Sequence, residues 1–170
     1  NYMARHPQPT ESGWAELREA QEAALKLKKT GSAVILDIGD ADDIHPRNKK
    51  DVGERLAMSA RSFLFPGSGP SGNSPRMERV LYINGRATVF FKDAKSLKTT
   101  DGRAPVGFAA RTEGGSWQWA TAKIEGAEVV LSLPGGGEIA DVRYAWADNP
   151  EVNLVNELGL PVCPFRTDKG

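Results

Sequence analysis

The sequence predicts an α/β chain in two parts: a helix–strand–helix unit over residues 1–65 and a small antiparallel β-sandwich over 77–150. Three observations predict it. Before residue 65, apolar residues recur at helical spacing on both sides of one short apolar run. After residue 76 the apolar period falls to two. Between the two parts, Pro66-Gly67-Ser68-Gly69-Pro70-Ser71-Gly72-Asn73-Ser74-Pro75 holds too many helix and ladder breakers to join either, so 66–76 reads as a linker.

Each element has its own warrant. Trp14, Leu17, Ala20, Ala24 and Leu27 stand three and four apart, one face of an amphipathic helix. Ser12 is its N-cap, Lys28 and Lys29 suit the negative end of its dipole, and Gly31 suits a left-handed terminal position. Residues 33–38 are continuously apolar, as in a buried parallel strand. Asn48, with Asp51 three residues on, opens a second helix whose buried stripe is Val52, Leu56, Ala60 and Phe63. The loop between that strand and helix then lies at the carboxyl edge of a sheet, where open α/β folds place their sites. Beyond the linker, 80–83, 87–91, 106–111, 117–124, 129–133 and 142–146 are strand-like, and Asn84-Gly85 signals a tight hairpin. Residues 151–170, polar and proline-containing, read as a tail that packs back on the body.

Composition excludes some classes. Lys plus Arg and Asp plus Glu both number 22, and a net charge of zero argues against a broad electrostatic grip on nucleic acid or an anionic membrane. No apolar run is long enough to cross a bilayer. A lone Cys163 leaves no intrachain disulfide and reads as a small buried hydrophobe. The chain starts at Asn1, not Met, so a processed, cut or partial chain is expected.

The chemistry-bearing loop runs Ile38-Gly39-Asp40-Ala41-Asp42-Asp43-Ile44-His45-Pro46. An imidazole with a carboxylate to hold its tautomer is the pairing a general base needs, and the unperturbed pKa of His, about 6.5, suits proton transfer near neutrality. The competing reading is a turn whose acids cap the next helix. His6 is expected in a solvated loop, and two histidines so far apart make no zinc site. The three acids lack the regular ligand spacing of calcium loops, so no metal or cofactor is expected.

From Leu17-Arg18-Glu19-Ala20-Gln21 through Asp37-Ile38-Gly39-Asp40, Asp43-Ile44-His45-Pro46, Asn48-Lys49 and Val52-Gly53-Glu54-Arg55-Leu56-Ala57, the chain resembles the sialate O-acetylesterases, which are SGNH (GDSL-like) carbohydrate acetylesterases. The resemblance resumes at Val142-Arg143-Tyr144-Ala145-Trp146-Ala147-Asp148-Asn149-Pro150 and ends at Pro164-Phe165-Arg166. It implies the carboxyl-terminal part of a flavodoxin-like SGNH hydrolase domain carrying a β-sandwich module. It also implies a serine esterase acting on acetylated carbohydrates, sialic acids first and acetylated xylan or other glycans second, without cofactor. His45 takes the base position, with Asp42 first among candidate orienting acids and Asp43 and Asp40 as alternatives. The family's nucleophile block and oxyanion donors have no counterpart here, and Gly67-Ser68-Gly69 reads as linker. The serine is therefore expected in an amino-terminal part of the same esterase, covalent or a cleaved companion, and this chain alone is expected to be inactive. Localisation by resemblance is periplasmic or secreted. Trp117 and Trp119 alternate across a strand, one for the core and one partly exposed, and either is a possible sugar contact; Arg143, Tyr144 and Trp146 are expected to fasten the sandwich to the hydrolase body, and Arg166 to fasten the tail through a carboxylate. The reading from another class is a non-catalytic carbohydrate-binding or structural β module.

Overall fold

Ser12 opens the first helix as expected, its hydroxyl accepting the Ala15 N–H at 3.1 Å. The structure, a computed structural model, describes Pro9, residues 11–67 and 72–168. Helix α1 (Gly13–Ala23) ends in a single 3-10 turn, Ala24–Lys26. The left-handed position beyond it falls to Lys29 (φ 58°) and not to Gly31. Gly31 is needed for a different reason: a Cβ there would stand 2.5 Å from Ser59 Oγ, so glycine lets the chain pass close over the second helix. That helix, α2 (Lys49–Leu64), is capped by Asn48, whose side chain accepts the Asp51 N–H and donates to the Asp51 carboxylate.

Residues 33–38 do not form the expected strand. A strand exists only with a ladder partner, and no described segment pairs with this one. Alternation survives all the same: Val34 and Leu36 are buried in the core of the β-rich part, while Ile35 is exposed.

The helical stripes also differ from expectation. Trp14, Leu17 and Leu27 on the first helical segment, and Leu56 and Phe63 on α2, are exposed; α1 buries Ala15, and the longer side chains that reach inward are polar. Arg18 donates to the Ala147 and Asp148 carbonyls, Ser12 donates to the Asp148 carboxylate, and Glu19 and Glu22 pair with Arg166 and Arg76. On α2 the buried residue is Ser59, bonded to Asn73. Hydrogen bonds fix these helices to the β-rich part, which leaves their apolar stripes without a partner among the described residues.

The β-rich part holds ten strands: β1 (Arg76–Ile83), β2 (Arg86–Lys92), β3 (Leu97–Thr99), β4 (Phe108–Arg111), β5 (Gln118–Trp119), β6 (Thr121–Glu125), β7 (Glu128–Ser132), β8 (Asp141–Tyr144), β9 (Leu154–Asn156) and β10 (Phe165–Arg166). They make antiparallel sheets in the orders β1-β2-β7-β6 and β10-β8-β4-β5, with β3 and β9 as a separate pair. The β1–β2 turn has both Asn84 (φ 49°) and Gly85 (φ 73°) left-handed, the geometry a two-residue hairpin demands. Inward residues of both sheets share one core, including Val89, Val129, Leu131, Phe108, Val142, Tyr144 and Phe165.

Three local features were not expected. The run 117–124 is two strands in two sheets, because Ala120 donates to the Phe108 carbonyl and the chain crosses over. The segment 151–168 does more than lie on the body: it supplies β9 and β10, with Leu154, Val162 and Cys163 buried. Burial pushes the Cys163 thiol up to about 12, so it acts as a hydrophobe and not a nucleophile. The described residues that follow 68–71 are also no solvated tether. Ser74 and Pro75 are buried, and the Pro75 carbonyl accepts the Cys163 N–H. Residues 68–71 themselves, like His6, lie outside the described residues.

Candidate active-site loop

The loop carrying His45 is built by its own acids. The Asp40 carboxylate accepts the Asp42 N–H at 2.9 Å, and the Asp43 carboxylate accepts the His45 N–H at 2.7 Å. Both are side-chain turns two residues long, the local bonding that Asp favours. Asp43 therefore meets His45 through the backbone, and none of the three carboxylates bonds the imidazole. Asp42 makes no hydrogen bond through its carboxylate, so it is the acid left over from loop construction. No serine hydroxyl among the described residues bonds the imidazole either; Ser12, Ser32, Ser59 and Ser62 are each engaged elsewhere.

Both ends of the loop are clamped by one residue that the sequence reading missed. Arg55 on α2 grips the Asp37 carboxylate with two 2.6 Å bonds and donates to the Val34 carbonyl at 2.6 Å. Its side chain is only 12% exposed, while the Asp37 side chain is 28% exposed, so the guanidinium is the shielded half of a charge-assisted pair. The segment entering the loop is thus tied to the helix leaving it. Nothing in the spacing of Asp37 and Arg55 announces this, because the contact depends on how the chain turns between them. Arg55→Ala should cost about 1.5–3 kcal/mol, the range for a charged hydrogen bond. It should also raise hydrogen exchange and proteolysis over 37–47. A loop as protected as in the unmodified chain would show that the clamp does not hold it.

His45 is exposed. Its neighbours Asp43, Ile44 and Pro46 form one wall of a groove of about 530 Å³, whose other walls include Trp14, Leu17, Ile35 and Leu56. The unpartnered stripes of both helices and the histidine loop therefore share one surface. Among the described residues, no group of three or more His, Cys, Asp or Glu side chains is placed to hold a metal ion.

Trp117 and Trp119 part company. The Trp117 ring lies under Arg143 (4.2 Å) and Arg111 (4.8 Å). Trp119 remains 47% exposed. Arg143 is buried, chelates the Asp168 carboxylate and also reaches Glu11, just before α1. Burial opposes its charge, but the two carboxylates outweigh burial and hold the guanidinium above its ordinary pKa. Arg166 lies 4.7 Å over the Trp146 ring and pairs with Glu19 on α1. These residues bind the helical unit to the sandwich, whereas Tyr144, expected to do the same, is wholly buried in the sandwich core against Phe108 and Phe165.

A scan against protein-family models and a search of curated proteins gave no match. A search of solved structures found a carbohydrate acetylesterase from Xanthomonas citri, 38% identical, with a TM-score of 0.92. Along its whole length, this chain is similar to part of a carbohydrate acetylesterase. The match covers 100% of this chain and 40% of that one.

Proposed function

We propose that this chain is the carboxyl-terminal part of a serine esterase that removes O-acetyl groups from carbohydrates. Sialic acids are its leading substrates, and acetylated xylan or other glycans come second. The observation that carries this reading is the likeness of this whole chain to part of a carbohydrate acetylesterase, taken with the exposed His45, whose loop neighbours Asp43, Ile44 and Pro46 line an apolar groove. His45 acts as base and then acid toward a serine on polypeptide outside the described residues, the amino-terminal part of a flavodoxin-like SGNH domain. Asp42, free of loop bonds, orients the imidazole in preference to Asp43 and Asp40, which are engaged by backbone N–H groups. The oxyanion donors lie with the serine. A periplasmic or secreted location follows from the same resemblance.

In this account the exposed stripe of Trp14, Leu17, Ile35, Ile44 and Leu56 is the seat for that missing polypeptide. Large contiguous apolar patches on a folded surface mark such contacts. Leu17→Glu tests it. The substitution should leave the unfolding free energy of the 170-residue chain within about 0.5 kcal/mol, because the side chain is already 48% exposed. In the full-length protein it should separate the two parts and reduce acetate release from O-acetylated glycans. Full activity in the Leu17→Glu protein would contradict the docking assignment.

A further inference from the structure

The tryptophan that stays exposed stands beside a second, smaller recess of about 280 Å³, which shares no lining residue with the histidine groove. Trp119 forms one side; Gly107, Ala145, Trp146, Pro150 and Glu151 contribute to the rest. We propose that this recess is an auxiliary subsite for one glycosyl unit of the carbohydrate, an assignment that rests on the esterase reading above.

The recess is held open by backbone that a merely filled corner would not need. Ala145 sits in the left-handed region (φ 51°), which a side chain disfavours. It is kept there by its N–H donating to the Gly107 carbonyl at 2.9 Å and its own carbonyl accepting the Ala147 N–H at 3.1 Å. Gly107 is left-handed too (φ 88°), and a Cβ on it would stand 2.9 Å from the Glu151 carbonyl oxygen. These two positions, just before β4 and just after β8, turn the chain into the walls of the recess. Such strain persists where the surroundings enforce it, and it concentrates at ligand sites.

The chemistry suits a sugar ring. A pyranose has an apolar C–H face that covers an indole and a rim of hydroxyls that seek charged or polar partners. Trp119 supplies the indole, and no cation of the described residues covers its ring, unlike that of Trp117. Glu151, which lines the recess, makes only a loose, solvent-exposed pair at 3.7 Å with Arg103, itself held by Asp101 at 2.8 Å, so the Glu151 carboxylate can turn to accept hydroxyl groups. The Trp146 indole N–H has no acceptor among the described residues and is closed off from solvent, so it is not the ligand's donor. A volume of about 280 Å³ lies just below the ~300–1,000 Å³ of drug-sized sites, which admits one ring and not a chain of them.

The test is a titration of the full-length protein with acetylated xylo-oligosaccharides and, separately, sialyllactose, followed by tryptophan fluorescence. Saturable binding of at least one probe is expected, weakened about tenfold or more in Trp119→Ala and less in Trp119→Phe. Trp117→Phe should bind as the unmodified protein does. Circular dichroism of each variant controls for folding. No binding of either probe, or equal affinity in Trp119→Ala, would overturn the subsite. The esterase reading is scored separately by acetate release and its dependence on His45, so glycan binding can fail while that reading stands.

Discussion

Replacing His45 with alanine in the full-length protein should reduce acetate release by roughly 10²- to 10⁴-fold, the usual contribution of a positioned acid–base group. The fall should be in kcat, with the folded state unaffected. The structure explains why the fold should tolerate it: the imidazole is exposed and makes no hydrogen bond with a described residue, while the loop's shape depends on the His45 backbone N–H, which alanine keeps. The same logic separates the neighbouring acids. Asp42→Asn should lower activity without loosening the loop, because its carboxylate makes no loop bond. Asp43→Asn should disturb the loop itself, because its carboxylate accepts the His45 N–H. Activity in His45→Ala equal to that of the unmodified protein would remove the residue from the mechanism.

The second large effect concerns stability. Arg143→Ala should destabilise the chain by about 3 kcal/mol, read as a shift in the denaturation midpoint. Most of that cost comes from what is left behind and not from the lost attraction. Asp168, only 11% exposed, would keep its charge with its chelating partner gone, and the Trp117 ring would lose its cation. The double change Arg143→Met with Asp168→Asn should therefore cost less than Arg143→Ala alone. Arg143→Lys should fall between, since an ammonium cannot chelate the carboxylate and stack at once. A double variant as unstable as the sum of its parts would contradict the stranded-charge account. Because Arg143 also reaches Glu11, Arg143→Ala should free the start of α1 and increase its hydrogen exchange.

Local chemistry was legible wherever it acts over a few residues. Ser12 and Asn48 cap their helices because an N-cap needs only its own next turn. Asn84-Gly85 makes its hairpin because the turn's angles are set by those two residues. The misses share a different cause. Residues 33–38 look like a buried strand, and the stripes of both helices look like core, because the pattern records every surface that is to be covered. It does not say which polypeptide covers it. The pairing of β3 with β9, residues 97–99 with 154–156, was invisible because strands of three residues leave too little periodicity to detect. Gly31 was assigned to a turn on local grounds, while its actual constraint is the approach of Ser59 from another helix. The loop of Asp40, Asp42, Asp43 and His45 was readable as a site, yet the division of labour among its acids was not. That division depends on which N–H each carboxylate captures. Trp117 and Trp119, two residues apart, would share one face of a strand and not alternate across it; they part because Trp117 precedes β5 and lies under Arg111 and Arg143, while Trp119 ends β5 uncovered.

His45 is proposed to face its nucleophile beside the groove walled by Trp14, Leu17 and Ile44. A crystal structure of the full-length protein with its serine trapped by an organophosphonate measures this directly. The predicted result is the His45 imidazole within about 2.6–3.2 Å of the serine oxygen or the trapped group, with the apolar groove filled by polypeptide. An imidazole turned to solvent, with the trapped serine beyond its reach, would contradict it.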